Sequence, residues 1–104
     1  MIAADNEAGA KEVSIHDNTV GANSQVGAGQ CHGLIMGSGA SRFRIKDNRS
    51  GSLVVGGATQ GYGVFIMGGN SSEYQVTGNS LGGNLYGGVL NGAPHPTGMV
   101  KDNN

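Results

Sequence analysis

The chain has 104 residues, with 21 Gly, only five Phe or Tyr, no Trp, and a formal net charge of −1. That length holds at most one domain, and the charge supplies no field to draw in nucleic acid or an anionic membrane. Charged residues are 12%, about half the usual share, so Asn, Ser, Thr, Gln and Gly must make the surface polar.

No apolar run reaches the ~20 residues of a membrane helix, so no membrane insertion is expected. The start, Met1 to Glu7, is acidic rather than basic and does not read as a signal peptide. Residues 1–10 read as a lead-in segment. A strand follows at 12–16, then a turn at 17–18, then a Gly-rich stretch at 19–32. A second strand is predicted at Leu34-Ile35-Met36. The same order returns with a strand at 42–46, a turn at 47–48, a Gly-rich stretch at 49–62 and a strand at Val64-Phe65-Ile66-Met67. It returns again at 73–77, 78–79, 80–87 and Gly88-Val89-Leu90. Leu53-Val54-Val55 reads as an extra short strand, and the segment from Ala93 to Pro96 as a stiff loop. Cys31 is the single cysteine, which excludes an internal disulfide.

One phrase carries this repetition: Val13 to Asn18 (VSIHDN), Phe43 to Asn48 (FRIKDN), Tyr74 to Asn79 (YQVTGN), and a shorter Val100 to Asn103 (VKDN). The offsets are 30 (13 to 43), 31 (43 to 74) and 24 (79 to 103). A strand and an Asn turn at such a period predict stacked repeats with columns of equivalent residues. A composition this rich in Gly suits disorder, but a disordered chain has no reason to keep an apolar–polar register.

Alternation sends Val13/Phe43/Tyr74 and Ile15/Ile45/Val76 inward, with Leu34/Phe65 and Met36/Met67 as a second wall. Ser14/Arg44/Gln75 and His16/Lys46/Thr77 face outward. Asn18, Asn48, Asn79 and Asn103 form a structural ladder of side-chain amides. Glu12/Arg42/Glu73 alternates in sign, a favourable cross-strand arrangement.

These phrases resemble the right-handed parallel β-helix of the pectate-lyase-like superfamily over residues 11–104. The Gly-, Asn- and Ser-rich texture is most similar to bacteriophage and prophage tailspike coils. The fold class expected is therefore all-β: a right-handed single-stranded parallel β-helix of about three coils of ~30 residues and a partial fourth. The resemblance implies a homotrimer on a virion (phage tail) or outside the cell. Bare coil ends would expose apolar core and unpaired strand edge, so 11–104 is expected to be the C-terminal part of a longer protein, an internally initiated product or an obligate oligomer.

Candidate sites are few. Asp17 and Asp47, one repeat apart, are the catalytic candidates for paired-carboxylate chemistry, with Lys46 as a base or charge stabiliser. Capping of its own turn through backbone N–H groups is the preferred reading of each Asp. Arg44 and Lys46, beside His16, Arg49 and Lys101, make a mildly basic strip suited to an acidic polysaccharide. Tyr62 and Tyr86 are the aromatic candidates for sugar binding. Cys31 and His32 adjoin, but neighbours on a strand point to opposite faces. No cofactor and no metal site are read from the residues.

The leading functional expectation is a structural or receptor-binding module that stabilises a spike or contacts cell-surface polysaccharide. The alternative is a fragment of a lyase, hydrolase or epimerase acting on an acidic glycan.

Overall fold

The computed structural model describes residues 2–4, 12–21, 31–37, 39–52, 60–67, 71–92 and 94–104. Ten strands occur among them: β1 (Ile2–Ala4), β2 (Ser14–His16), β3 (Thr19–Val20), β4 (Leu34–Met36), β5 (Arg44–Lys46), β6 (Arg49–Ser50), β7 (Tyr62–Ile66), β8 (Gln75–Thr77), β9 (Gly87–Asn91) and β10 (Met99–Lys101). They form one sheet of order β1-β4-β7-β9, a second of order β10-β8-β5-β2, and the pair β3-β6. All the pairings are parallel. β1 lies within the segment read as a lead-in, and its place is beside β4.

The expected right-handed single-stranded parallel β-helix is corrected. The described residues form three small sheets of short parallel strands, with no closed helix. The cause is local. Glu12, Arg42 and Glu73 adopt φ of 57, 52 and 54°, and Asp17, Asp47 and Asp102 φ of 56, 56 and 57°. These left-handed residues fall just outside β2, β5, β8 and β10, where each one turns the chain. Five-residue strands expected from alternation are thereby cut to three. Gly78, at φ 68°, fills the same place after β8 without the steric cost an L side chain carries there. On the third side, among the described residues, two pairs form, Thr19↔Arg49 and Val20↔Ser50, followed by a single bridge from Arg49 to Ser80. The expected strand at 53–55 lies outside the described residues.

Within the second sheet, Ser14, Arg44, Gln75 and Met99 share one row, as do Ile15, Ile45, Val76 and Val100. Ile15, Ile45 and Val76 are buried, while the neighbours on either side of Ile45 are exposed, the period-2 signature of a half-buried sheet. The first sheet has a different register from the expected one. Leu34 pairs with Val64 and Met36 with Ile66, not with Phe65 and Met67. A one-residue slip exchanges the two faces: Val64 and Ile66 are fully buried, Phe65 is half-buried, and Met67 is exposed. The offset is 30 at Met36↔Ile66 and 31 at Ser41↔Ser72, so the extra residue of the second repeat enters between the sheets.

Both sheets contribute to one apolar cluster, which includes Leu34, Met36, Phe43, Ile45, Val64, Ile66, Tyr74 and Val76. Phe43 and Tyr74 stack nearly parallel, 5.0 Å apart. Complete burial of each such side chain contributes ~1.5–3 kcal/mol.

Along the turn after β2, β5, β8 and β10, four asparagines are joined in series. Asn18 Nδ2 donates to Asn48 Oδ1 (3.1 Å), Asn48 Nδ2 to Asn79 Oδ1 (3.1 Å), and Asn79 Nδ2 to Asn103 Oδ1 (2.8 Å). Each accepting oxygen also takes the backbone N–H of the preceding Asn, at 3.0–3.1 Å. The remaining Nδ2 protons of Asn48, Asn79 and Asn103 go to the carbonyls of Ile15, Ile45 and Val76. Asn48 and Asn79 are buried, and in each both amide protons and both carbonyl lone pairs are used.

Candidate functional site

Charge is segregated along the chain. Residues 18–41, 50–72 and 74–100 contain no Asp, Glu, Lys or Arg. Among the described residues, the β2/β5/β8/β10 sheet and its bends therefore carry every charged residue except Arg49, which opens β6. The β4, β7 and β9 strands and the segments just before them carry none.

On that uncharged side, three stretches of chain lie side by side. Gly61 N–H donates to Cys31 O (2.8 Å), Gly33 N–H to Tyr62 O (3.0 Å), Leu85 N–H to Gln60 O (3.0 Å) and Tyr86 N–H to Gly61 O (2.9 Å). This pairing gathers four rings. The centroid of His32 lies 4.7 Å from that of Phe65 in a stacked arrangement and 5.6 Å from that of Tyr62. Tyr62 lies 6.4 Å from Phe65, edge-on, and 5.8 Å from Tyr86. His32, Tyr62 and Phe65 are half-buried, and Tyr86 is 62% exposed. Gly61 makes the approach possible. A Cβ there would sit 2.8 Å from His32 Cε1 and 3.0 Å from Tyr86 Cδ2.

A buried polar cluster supports these stretches from inside. Gln60 Nε2 donates to Ser50 Oγ (3.0 Å) and Asn84 Oδ1 (2.7 Å), and Ser50 Oγ donates to Gly63 O (2.8 Å). Asn84 Nδ2 donates to the carbonyls of Ser50 and Leu81. Residues 60–63 and 84 are thus tied to β6 by satisfied buried bonds, which fix geometry because an unpaired partner there is costly.

His32 has a defined state. Its Nδ1 accepts the backbone N–H of Tyr62 at 3.0 Å, so the neutral ring carries its proton on Nε2. Burial pushes its pKa below the ordinary 6.5, since desolvation penalises the imidazolium. This bond also removes Nδ1 from any partnership with the Cys31 thiol.

The remaining candidates are elsewhere. Arg44 and Lys46 are exposed on the outer face of β5, on a different sheet from Tyr62 and Tyr86, so the four expected ligand-binding residues do not form one site. Near them a groove of about 400 Å³ is lined by Glu12, Arg42, Phe43, Arg44, Glu73 and Gln75. Arg42 lies between Glu12 (3.5 Å) and Glu73 (3.9 Å). Asp17 and Asp47 line a separate cleft with Arg49. Both are exposed, and Asp17 Oδ2 contacts His16 Nδ1 at 2.9 Å. General acid catalysis by one carboxyl of a pair calls for an environment that sets it apart from the other, and these two share a solvated one. Among the described residues, no three His, Cys, Asp or Glu side chains gather to hold a metal, and no helix is long and apolar enough to cross a membrane.

Sequence reasoning singled out Tyr62 and Tyr86 but missed His32 and Phe65 as their neighbours. The signal was present: 32 to 62 is an offset of 30 and 62 to 86 one of 24, as in the first and last steps of the Asn ladder. Pairing Leu34 with Phe65 puts that ring in the core, whereas the observed register pairs Phe65 with Ile35. Comparison of the chain with protein-family models, curated proteins and solved structures finds no match.

Proposed function

We propose that the protein is a structural binding module that contacts polysaccharide through the aromatic cluster on its uncharged side. The observation that carries this reading is the Tyr62–Tyr86 pair at 5.8 Å, with Tyr86 62% exposed, on a side where no described residue is charged. A sugar ring presents C–H groups on its faces and hydroxyls at its rim. Aromatic rings with a polar edge meet both needs: an apolar face to stack on and a hydroxyl to hydrogen-bond. Partners held by tied backbone lose little freedom on binding, which favours affinity.

The test is glycan binding followed by NMR titration, for the native chain and for Tyr62→Ala and Tyr86→Ala. Each substitution is expected to weaken binding about tenfold, or ~1.4 kcal/mol. Binding undiminished in both variants sinks the reading. The same reading takes the working form to be a homotrimer. Light scattering coupled to size exclusion checks that part, and a folded monomer at micromolar concentration removes it.

A further inference from the structure

Resting on the reading above, we infer that His32, Tyr62 and Tyr86 form one row that takes an uncharged glycan chain running across the strands, with His32 Nε2–H as its fixed donor. The ligand class follows from what the row lacks and what it offers. Centroid spacings of 5.6 and 5.8 Å step from the β4 segment to β7 to the segment before β9, so the row follows the stacking direction rather than a strand. That step is comparable to the length of one pyranose unit, so successive sugars meet successive rings.

His32 supplies direction. The bond from Tyr62 N–H to Nδ1 holds the ring in place and leaves Nε2 as the protonated nitrogen. Among the described residues Nε2–H has no acceptor, while Phe65 stacks on the ring at 4.7 Å. A half-exposed, oriented N–H beside two stacking rings suits a hydroxyl or ring oxygen. An anionic sugar gains nothing here, since every charged residue described belongs to the other sheet, its bends or β6. Among the described residues the five cations, Arg42, Arg44, Lys46 and Lys101 there and Arg49 on the adjoining β6, are matched by the five anions Glu12, Asp17, Asp47, Glu73 and Asp102. A polyanion therefore finds no net positive charge among them to draw it in.

The probes are β-1,4-linked gluco-oligosaccharides from dimer to hexamer, with oligogalacturonates of equal length. They are titrated into the full chain at low and at high salt. Affinity is expected for the neutral series, rising from dimer to trimer, levelling beyond it, and insensitive to salt. His32→Asn retains an amide oxygen for Tyr62 N–H but removes the ring and its Nε2 donor. It should weaken trimer binding about tenfold while the Tyr62 amide resonance still reports a folded site. Preference for the oligogalacturonates with a steep salt dependence, or full affinity in His32→Asn with the fold intact, overturns the inference and leaves glycan binding standing. A native chain that binds neither series overturns both.

Discussion

The two four-stranded sheets are built alike and finished differently. Both pair parallel strands and face a shared core, yet one carries on its outer side and bends every charged residue described but Arg49, and the other carries rings. They also keep register by different means. In the charged sheet, left-handed residues stop each strand and the Asn series locks each turn to the next. On the uncharged side, buried polar bonds from Gln60, Ser50 and Asn84 hold the segments. The difference assigns labour: the charged sheet holds the stack together, and the uncharged side is free to contact a ligand.

The largest expected effect tests that division. Asn79→Ala removes the acceptor for Asn48 N–H and Nδ2 and the donors to Ile45 O and Asn103 Oδ1. Leaving such buried groups unpaired costs about 1–3 kcal/mol each, so a loss of ~4 kcal/mol in urea unfolding is expected. Tyr86→Ala, on the other side, should stay within ~0.5 kcal/mol because Tyr86 is mostly exposed. Equal costs for the two would abolish the distinction.

Next in size is a pair of core truncations that sharpens it. Ile45 and Ile66 are both fully buried, one under each sheet. Ile45→Ala and Ile66→Ala should each cost about 3 kcal/mol and leave unfolding a single transition, because one cluster joins them. A variant that melts one sheet before the other would show two cores where the packing has one.

How far the sequence reveals each region follows the same line. The charged sheet was legible because its phrase repeats without slippage: Ile15, Ile45 and Val76 fall in one row, and Asn18, Asn48, Asn79 and Asn103 in one series. What alternation does not encode is the sign of φ at Glu12, Arg42 and Glu73. Glu and Arg give no cue to left-handed backbone, so alternation alone makes the strands five residues long where the chain bends after three. On the uncharged side, Leu34-Ile35-Met36 and Val64-Phe65-Ile66-Met67 are apolar throughout, and an unbroken apolar run has no inherent face. The register slipped by one there, and with it Phe65 moved from the core to the ring cluster. The union of His32 with Tyr62 depends on a bond to a backbone N–H, which no residue pattern displays.

A smaller effect separates the sheets by pH. The unfolded imidazole of His32 takes a proton near 6.5, and the folded one only at lower pH. The stability it contributes is therefore complete above 6.5 and is lost as pH falls through the folded value. The Tyr62 and Tyr86 phenols are the other titratable groups of this ring cluster. The difference in stability between the native chain and His32→Asn should narrow on acidification, and Tyr62 N–H should lose protection from exchange first. A difference that stays flat from neutral to acid pH would mean that the Nδ1 bond contributes nothing.

The smallest expected effect concerns the feature that looks most like a fastening. Arg42 reaches Glu12 at 3.5 Å and Glu73 at 3.9 Å, with side chains 49–75% exposed. At such exposure solvent screens most of the attraction, and ordering long side chains offsets the rest. Glu73→Gln should change stability by no more than ~0.5 kcal/mol, and that small change should fade in high salt. The Glu73 backbone N–H still donates to Thr97 Oγ1, so the bend survives the substitution. A loss well beyond this would mean that alternating charge, rather than the Asn series, sets the spacing of the sheet. In that case the offsets of 30 and 31 would follow the row of Glu12, Arg42 and Glu73, and Asn79→Ala would cost far less than argued above.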